Sequence, residues 1–264
     1  MRRHLVALLA LAAAALLYTG PAGAIVNGQL DGKLHPEVGA LIAEYVQPGE
    51  KDVLCSGTLV APKVFLTAGH CTDYLQSIGI APDQVWVTFD SQFTSRSTLF
   101  HGTYVQDPQY GYSGQGGSSD PHDLAVVLLD KAPKITPARL PAANLLGSTD
   151  LSSQTFTAVG YGTVRSSSTT GPNAFYFDST RRYALQFFLS LEPSWLNLSE
   201  NPSTGSGGTC YGDSGGPHFL GGVSSNLEVA ITVTGDSVCR ATDKTYRLDT
   251  PSARGFLARF VTLP

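Results

Sequence analysis

Three residues that stand far apart in the chain have the types and neighbours needed to activate a hydroxyl group. His70 lies in the run Leu-Thr-Ala-Gly-His-Cys, Asp123 precedes six apolar residues, and Ser214 lies in the run Gly-Asp-Ser-Gly-Gly-Pro. A serine hydroxyl becomes a nucleophile when a neighbouring base takes its proton, and a neutral imidazole does this near neutral pH. A carboxylate beside the imidazole fixes its tautomer and stabilises the imidazolium. The three residues therefore predict a catalytic triad, with Ser214 as nucleophile, His70 as general base and acid, and Asp123 orienting His70.

The glycines beside Ser214 predict a second part of the same site. Glycine adopts backbone conformations that other residues avoid, so the N–H groups of Gly212 and Ser214 can point to one place. Two such donors form an oxyanion hole, and losing one typically costs about 2.7–4 kcal/mol of transition-state stabilisation. We therefore expect Gly212 and Ser214 to bind the oxyanion of an acyl-transfer reaction.

The run around Ser214 also matches the Gly-x-Ser-x-Gly pattern of α/β-hydrolases, which is an alternative interpretation. In those enzymes the acid and then the histidine follow the serine in the chain. Here the only histidine after Ser214 is His218, four residues on, with no suitable acid between them. That fold also needs alternating strands and helices, which this sequence lacks. The order of the motifs therefore argues against a lipase or esterase of that type.

The elements that must position these residues are predicted to be short strands. Gly- and Pro-rich connections separate seven stretches of β-branched, aromatic and other apolar residues, at 38–46, 56–60, 64–67, 85–89, 124–129, 155–159 and 229–234. Many short strands joined by such turns are typical of an all-β sandwich or barrel. The one helix predicted from periodicity covers residues 252–261, where Phe256, Leu257 and Phe260 share a face. Three polar stretches predict surface loops, at 111–121, 165–172 and 201–208.

Composition excludes several classes of partner and cofactor. The 264 residues contain 17 Lys and Arg against 21 Asp and Glu, without a basic cluster. Nucleic acid is therefore not an expected partner. The four cysteines allow three disulfide pairings, and sequence proximity favours Cys55–Cys71 and Cys210–Cys239. Their spacings lack a Cys-x-x-Cys pair and do not predict a zinc site, so we expect no metal and no cofactor.

The first 24 residues have the layout of a secretory signal peptide. Arg2 and Arg3 precede an apolar run at residues 5–17, and Ala22-Gly-Ala24 supplies the small residues of a cleavage site. The run is too short to span about 30 Å of hydrocarbon. The alternatives are an uncleaved anchor and a buried apolar helix. We expect cleavage after Ala24, and a secreted protein that has no membrane contact once the signal is removed.

Taken together, these motifs resemble those of a known family. The run Ile-Val-Asn-Gly at residues 25–28 and the histidine, aspartate and serine motifs resemble the trypsin-like (chymotrypsin-fold) serine peptidases over nearly all of residues 25–264. The two favoured disulfides match two of that family. The resemblance implies an all-β fold of two six-stranded antiparallel Greek-key β-barrels with a C-terminal helix, the barrels covering roughly residues 25–140 and 141–264.

The resemblance also implies the function. A secreted serine endopeptidase would act as a monomer on protein or peptide substrates and would be a target for proteinaceous inhibitors. A catalytically silent binding or adhesion protein of the same fold is the alternative, although such relatives usually lose a triad residue and this chain keeps all three.

Two further features follow from the resemblance alone. It places a specificity pocket against five residues: Gly208, Thr209, Val233, Thr234 and Gly235. Because Gly208 stands where trypsin-type enzymes have an aspartate, we expect an apolar or small polar substrate side chain rather than a basic one. Asp243 or Lys244 near the pocket would restrict it or give it charge.

The second feature is activation through a new N-terminus. The resemblance implies an ion pair between the freed Ile25 ammonium and Asp213, which shapes the oxyanion hole. Relatives made as zymogens usually carry Arg or Lys before that isoleucine, but this chain has Ala24. We therefore expect signal peptidase itself to expose Ile25.

Overall fold

Strands and tight turns make up most of the structure. The computed structural model describes four parts of the chain, namely residue 25 and residues 28–111, 121–165 and 175–264. The predicted signal peptide lies outside the described residues. So do most of the predicted loop at 111–121 and most of the predicted loop at 165–172.

The first barrel closes from six antiparallel strands. They are β2 (Val38–Ala43), β3 (Asp52–Ala61), β4 (Val64–Thr67), β5 (Val85–Thr88), β6 (Phe100–Gln106) and β7 (Ala125–Leu129). Their order around the barrel is β2-β3-β4-β7-β6-β5. The predicted strands in this region are all present, and β6 is an addition that its mixed sequence did not reveal.

The second barrel has the same number of strands. It contains β8 (Thr155–Gly160), β11 (Arg182–Leu191), β12 (Trp195–Ser199), β13 (Pro217–Leu220), β14 (Glu228–Gly235) and β15 (Thr242–Arg247). Pairing of β11 with β8 closes the sheet order β11-β12-β15-β14-β13-β8. Two closed six-stranded barrels confirm the predicted fold class. A short β1 (Gln29–Leu30) pairs with β11, so the N-terminal segment lies on the second barrel. Separately, β9 (Val164–Arg165) and β10 (Phe175–Tyr176) form an antiparallel pair.

Two α-helices lie among the described residues, whereas periodicity predicted only one. The C-terminal α2 (Pro251–Leu257) is capped by the Thr250 hydroxyl, which accepts from the backbone N–H of Ala253. Helix α1 (Gly69–Ser77) was missed because its buried side consists of Gly69, Cys71, Thr72 and Leu75 rather than an apolar stripe. Two 3₁₀ turns cover Leu146–Ser148 and Pro202–Thr204. None of the described helices is long and apolar enough to cross a lipid bilayer.

One continuous apolar cluster joins the barrels and the C-terminal helix. It contains Phe65 of β4, Val127 of β7, Ile231 of β14 and Phe256 of α2, all buried. The two disulfides have the predicted pairing, Cys55–Cys71 and Cys210–Cys239. The first links β3 to α1, and the second links the segment before Ser214 to the end of the β14–β15 connection. These links hold the turns that carry the predicted site residues.

Candidate active site

The predicted histidine and aspartate form a pair at the start of α1. Asp123 is buried, and its Oδ1 accepts from the backbone N–H of His70 at 2.7 Å. Its Oδ2 lies 2.9 Å from His70 Nδ1. A carboxylate can only accept, so Nδ1 carries the proton and Nε2 is left as the acceptor of the ring. The ring is 30% exposed, so Nε2 can meet a substrate.

The Cys55–Cys71 disulfide fixes the same turn. Cys71 follows His70 directly, and Cys55 belongs to β3. The sulfur atoms of both cysteines and a ring nitrogen of His70 lie within 4.8 Å of one another. Disulfide sulfurs are not thiolates and do not ligate metal as cysteines do, so this group has the function of anchoring α1 to the barrel.

The turn that carries Ser214 packs against the strand end that leads to His70. The carbonyl of Ser214 accepts from Ser56 N at 2.9 Å. A Cβ built on Gly215 would lie 2.5 Å from Ala68 N, so the two backbones touch there. The structure therefore brings Ser214 to the junction that holds His70. In the described residues the Ser214 hydroxyl makes no hydrogen bond to His70; in substrate-free enzymes such bonds often tighten only when substrate binds.

The predicted oxyanion hole is held by hydrogen bonds from the first barrel. Gly212 has a φ of 94°, a conformation that disfavours any side chain. Its carbonyl accepts from Ser56 Oγ at 3.1 Å, and the same Oγ accepts from Tyr161 N at 2.9 Å. Ser56 is completely buried. The sequence analysis missed Ser56, because nothing in its local sequence marks a contact with residues more than 100 positions away.

Asp213, which lies between Gly212 and Ser214 in the chain, is fully buried. No cation contacts it among the described residues. It accepts from Gly162 N and Cys210 N, each at 2.8 Å. Burial raises the pKa of Asp213 to about 7. The side chain of Ile25 is also buried, but its nitrogen belongs to a peptide bond in the uncleaved chain. The Ile25–Asp213 ion pair thus stays a prediction.

A cavity of about 160 Å³ opens beside Ser214. Four of the five predicted pocket residues line it: Thr209, Val233, Thr234 and Gly235. Gly208 is not among the lining residues. The cavity has other walls that the sequence analysis did not predict, and they include Tyr211, Thr232 and Asp236. A cleft of this shape next to a nucleophile can receive one side chain of a bound peptide.

The fold and the site together define a two-barrel domain of the kind found in serine peptidases. The Trypsin family model matches residues 43–255, which is more than half of the chain. The chain therefore belongs to the trypsin family.

Individual relatives are distant. The chain is 25% identical over 205 residues to a chymotrypsin from Phaedon cochleariae, covering 75% of this chain and 69% of that protein. It is 27% identical over 170 residues to Glucanase inhibitor protein 1 from Phytophthora sojae, covering 64% of this chain and 62% of that protein. A solved structure described as the atomic resolution structure of HBP superposes with a TM-score of 0.64 at 17% identity, covering 91% of this chain and 98% of the other. At that identity the superposition supports the fold alone.

Proposed function

We propose that this chain is a secreted serine endopeptidase that hydrolyses peptide bonds through an acyl-enzyme formed on Ser214. The observation that carries the proposal is the double contact of Asp123 with the backbone and ring of His70. This contact leaves Nε2 as the proton acceptor in a turn that packs beside Ser214. Membership of the trypsin family supports the same reaction class.

In the proposed reaction Ser214 Oγ attacks the carbonyl carbon of the substrate while its proton passes to His70 Nε2. The C=O electron pair moves to oxygen, and the N–H groups of Gly212 and Ser214 stabilise the oxyanion. Collapse of the intermediate breaks the C–N bond, and the His70 imidazolium gives its proton to the leaving amine. Water then attacks the acyl-enzyme by the same route, releasing the acid product and restoring Ser214.

Labelling with a fluorophosphonate tests this proposal. The wild-type chain should become modified on Ser214 alone, which peptide mass spectrometry would locate, and it should hydrolyse a casein substrate. Ser214→Ala should abolish both results, whereas Ser95→Ala, which changes an exposed serine of the β5–β6 connection, should alter neither. Folded wild-type protein that neither labels nor hydrolyses a mixed peptide library would refute the assignment.

The second candidate is a catalytically silent binding protein of the same fold. The name of the Phytophthora relative, a glucanase inhibitor protein, supports it. This candidate requires a folded chain that stays unlabelled and captures a protein partner through the same cleft, with Ser214→Ala binding as well as wild type.

Export and activation belong to the same proposal. Residues 1–24 would be removed by signal peptidase, and the freed Ile25 ammonium would pair with Asp213. Ile25 has a φ of 57°, an outlier for a β-branched residue, and cleavage of the preceding peptide bond relieves that constraint. N-terminal sequencing of the exported protein should read Ile-Val-Asn-Gly. Another starting residue would contradict this part. We also propose a monomer that acts on protein or peptide substrates and is open to proteinaceous inhibitors.

A further inference from the structure

A second cavity, of about 540 Å³, opens on the surface where the two barrels meet. Pro36 and Glu37, just before β2 of the first barrel, line one side of it. Ser225 and Asn226, just before β14 of the second barrel, line another side. This cavity shares no lining residue with the cavity beside Ser214, so the proposed peptidase site does not account for it.

Two carboxyl groups lie beside and beneath this second cavity. Glu37 lines it and is only 5% exposed, whereas Glu228, the first residue of β14, is completely buried. Asn226 and Glu228 flank Leu227, which forms a β-bridge with Arg139, so the two side chains share one face of an extended segment. Asn226 lines the second cavity, and Leu227 lines a different one on the other face. Glu228 therefore lies behind Asn226, on the side of the second cavity.

Three buried oxygen atoms at this place lack partners. Thr58 of β3 is completely buried, and its hydroxyl group lies against the Glu228 carboxyl group. Thr58 Oγ1 and both carboxyl oxygens of Glu228 nevertheless have no hydrogen-bond partner of ordinary geometry. The backbone N–H of Leu59, the residue after Thr58, donates to the Glu37 carbonyl at 2.8 Å and so holds Glu37 beside the same group. A buried carboxylate is strongly unfavourable unless a cation or hydrogen bonds compensate its charge.

The cationic side chains nearby do not supply that compensation. Arg181 and His35 act on Glu37 from the interior, but both contact Asp31. Lys134 lines the cavity and is exposed to solvent. No Lys, Arg or His of the described residues forms an ion pair with Glu37 or with the other acid. A cation from solution is therefore the partner that these two carboxyl groups lack.

The ligand types at this place suit a hard cation. Carboxylate and other oxygen atoms are the ligands of Ca²⁺, which takes 6–8 of them in flexible geometry, and water entering through the cavity can complete that number. Arg139 Nε donates to Asn226 Oδ1 at 3.0 Å, so that amide oxygen is already engaged. Mg²⁺ demands octahedral geometry and loses its water reluctantly, which fits a completely buried carboxylate less well. Two carboxylates also balance the charge of one divalent ion.

We propose that Glu37, Glu228 and Thr58 bind a calcium ion that enters through the second cavity and joins the two barrels. Glu37 and Thr58 supply ligands from the first barrel, and Glu228 supplies its carboxylate from the second. The proposal replaces the expectation of no metal, which was drawn from the cysteine spacings alone. The ion stabilises the fold and takes no part in peptide cleavage, so the proposal goes beyond the proposed function and does not depend on it.

Thermal unfolding of the Ser214→Ala protein, which cannot digest itself, tests the proposal whether or not the wild-type chain is a peptidase. The protein would first be freed of metal with a chelator that is then removed by dialysis. We expect a dissociation constant of about 0.1–1 mM, so that about 10 mM CaCl₂ raises the melting temperature by at least about 3 °C. The same concentration of MgCl₂ should give less than half of that rise. Isothermal titration with CaCl₂ should show one site per chain.

Variants made in the same protein locate the ion. Glu228→Gln keeps the shape of the side chain and removes its charge, so it should abolish the calcium-dependent rise, and Glu37→Gln should reduce that rise at least about 2-fold. Lys134→Gln should strengthen calcium binding about 2-fold, because it removes a positive charge from the cavity. Glu50→Gln, at an exposed position, should change nothing.

Circular dichroism would establish that each variant is folded, and Glu37→Gln decides the matter if Glu228→Gln does not fold. Absence of any calcium-dependent rise before substitution would overturn the proposal. So would a rise that persists in full in a folded Glu228→Gln or Glu37→Gln protein, because the ion would then bind elsewhere.

Discussion

Replacing Ser56 by alanine removes one buried hydroxyl that ties the predicted oxyanion hole to the first barrel. Ser56 Oγ donates to the carbonyl of Gly212 and accepts from Tyr161 N, while Ser56 N donates to the carbonyl of Ser214. The backbone contact with Ser214 survives the substitution. The contacts with Gly212 and Tyr161 do not; Tyr161 is buried and Gly212 is half-buried.

The size of the effect follows from these two lost contacts. Each buried backbone group without a partner costs about 1–3 kcal/mol of folding stability. Complete loss of an oxyanion-hole donor lowers kcat by about 10²–10³-fold. Ser56→Ala keeps both N–H donors and only frees the peptide between Gly212 and Asp213, which lies between the two donors, so we expect a smaller loss of about 10-fold in kcat, or about 1.4 kcal/mol. KM should stay within about 2-fold, because neither the cavity nor the His70–Asp123 pair is touched.

Steady-state kinetics on the preferred peptide, with urea unfolding alongside, would measure both effects. Affinity for a peptide aldehyde, which forms a tetrahedral adduct, should fall in parallel with kcat, whereas affinity for the peptide acid product, which forms none, should not. Thr157→Val is the matched control, since Thr157 Oγ1 is buried without a hydrogen-bond partner and its removal should leave both kcat and stability nearly unchanged. An unchanged kcat in Ser56→Ala, or a loss confined to KM, would refute the positioning argument.

Three other substitutions follow from the geometry. Asp123→Asn should lower kcat by about 10⁴-fold with little change in KM, because an amide can stabilise the wrong tautomer of His70; burst kinetics would measure it, and a loss below about 10-fold would contradict it. In the uncleaved chain, Asp213 should lower the unfolding free energy by about 4 kcal/mol as pH rises from about 4 to about 7, because it ionises near 3.8 when unfolded but only near 7 when folded. Asp213→Asn should reduce the slope by that amount in urea titrations at a series of pH values and leave the part due to Glu200, whose pKa burial also raises; a slope unchanged by the substitution would refute the assignment to Asp213. Replacing Cys210 and Cys239 together by serine should cost about 2–5 kcal/mol of stability in the same assay, because the disulfide between them is lost.

The sequence predicts most strands of the two barrels where those strands are apolar. The more polar strands depend on pairing with neighbours that are distant in the chain. Strands such as Val64–Thr67 are wholly buried, so their sequences alone indicate them. Thr242–Arg247 is different, because its sequence is mainly polar and it forms a strand by pairing with β12 on one side and β14 on the other. Helix α1 similarly depends on a disulfide and on Asp123 rather than on a pattern of apolar residues.

The residues of the candidate site differ in the same way: some are evident from the sequence, and others only from the fold. His70, Asp123 and Ser214 lie in runs whose residue types indicate the proposed chemistry, so the sequence alone predicts them. Glu200, whose side chain fills the space above Gly208, has no such run. Its relation to Gly208 arises only when the intervening loop folds back, and its environment depends on Asp243, which is 43 positions away in the chain. The sequence identifies Gly208 as a predicted pocket residue, but it does not reveal that the Glu200 side chain fills the space above that glycine.

Buried acids in this molecule fall into two kinds, and the contrast bears on function. Asp31 is paired within the fold: Arg181 Nε donates to its Oδ2 at 2.8 Å. Burial alone would raise the pKa of Asp31, but this pair and a neighbouring histidine hold it below its ordinary value. Asp213 and the pair of Glu200 with Asp243 have no such cation in contact among the described residues, and burial raises the pKa of Asp213 and Glu200. The activation proposed above would supply a cation at Asp213, in the form of the freed amino terminus.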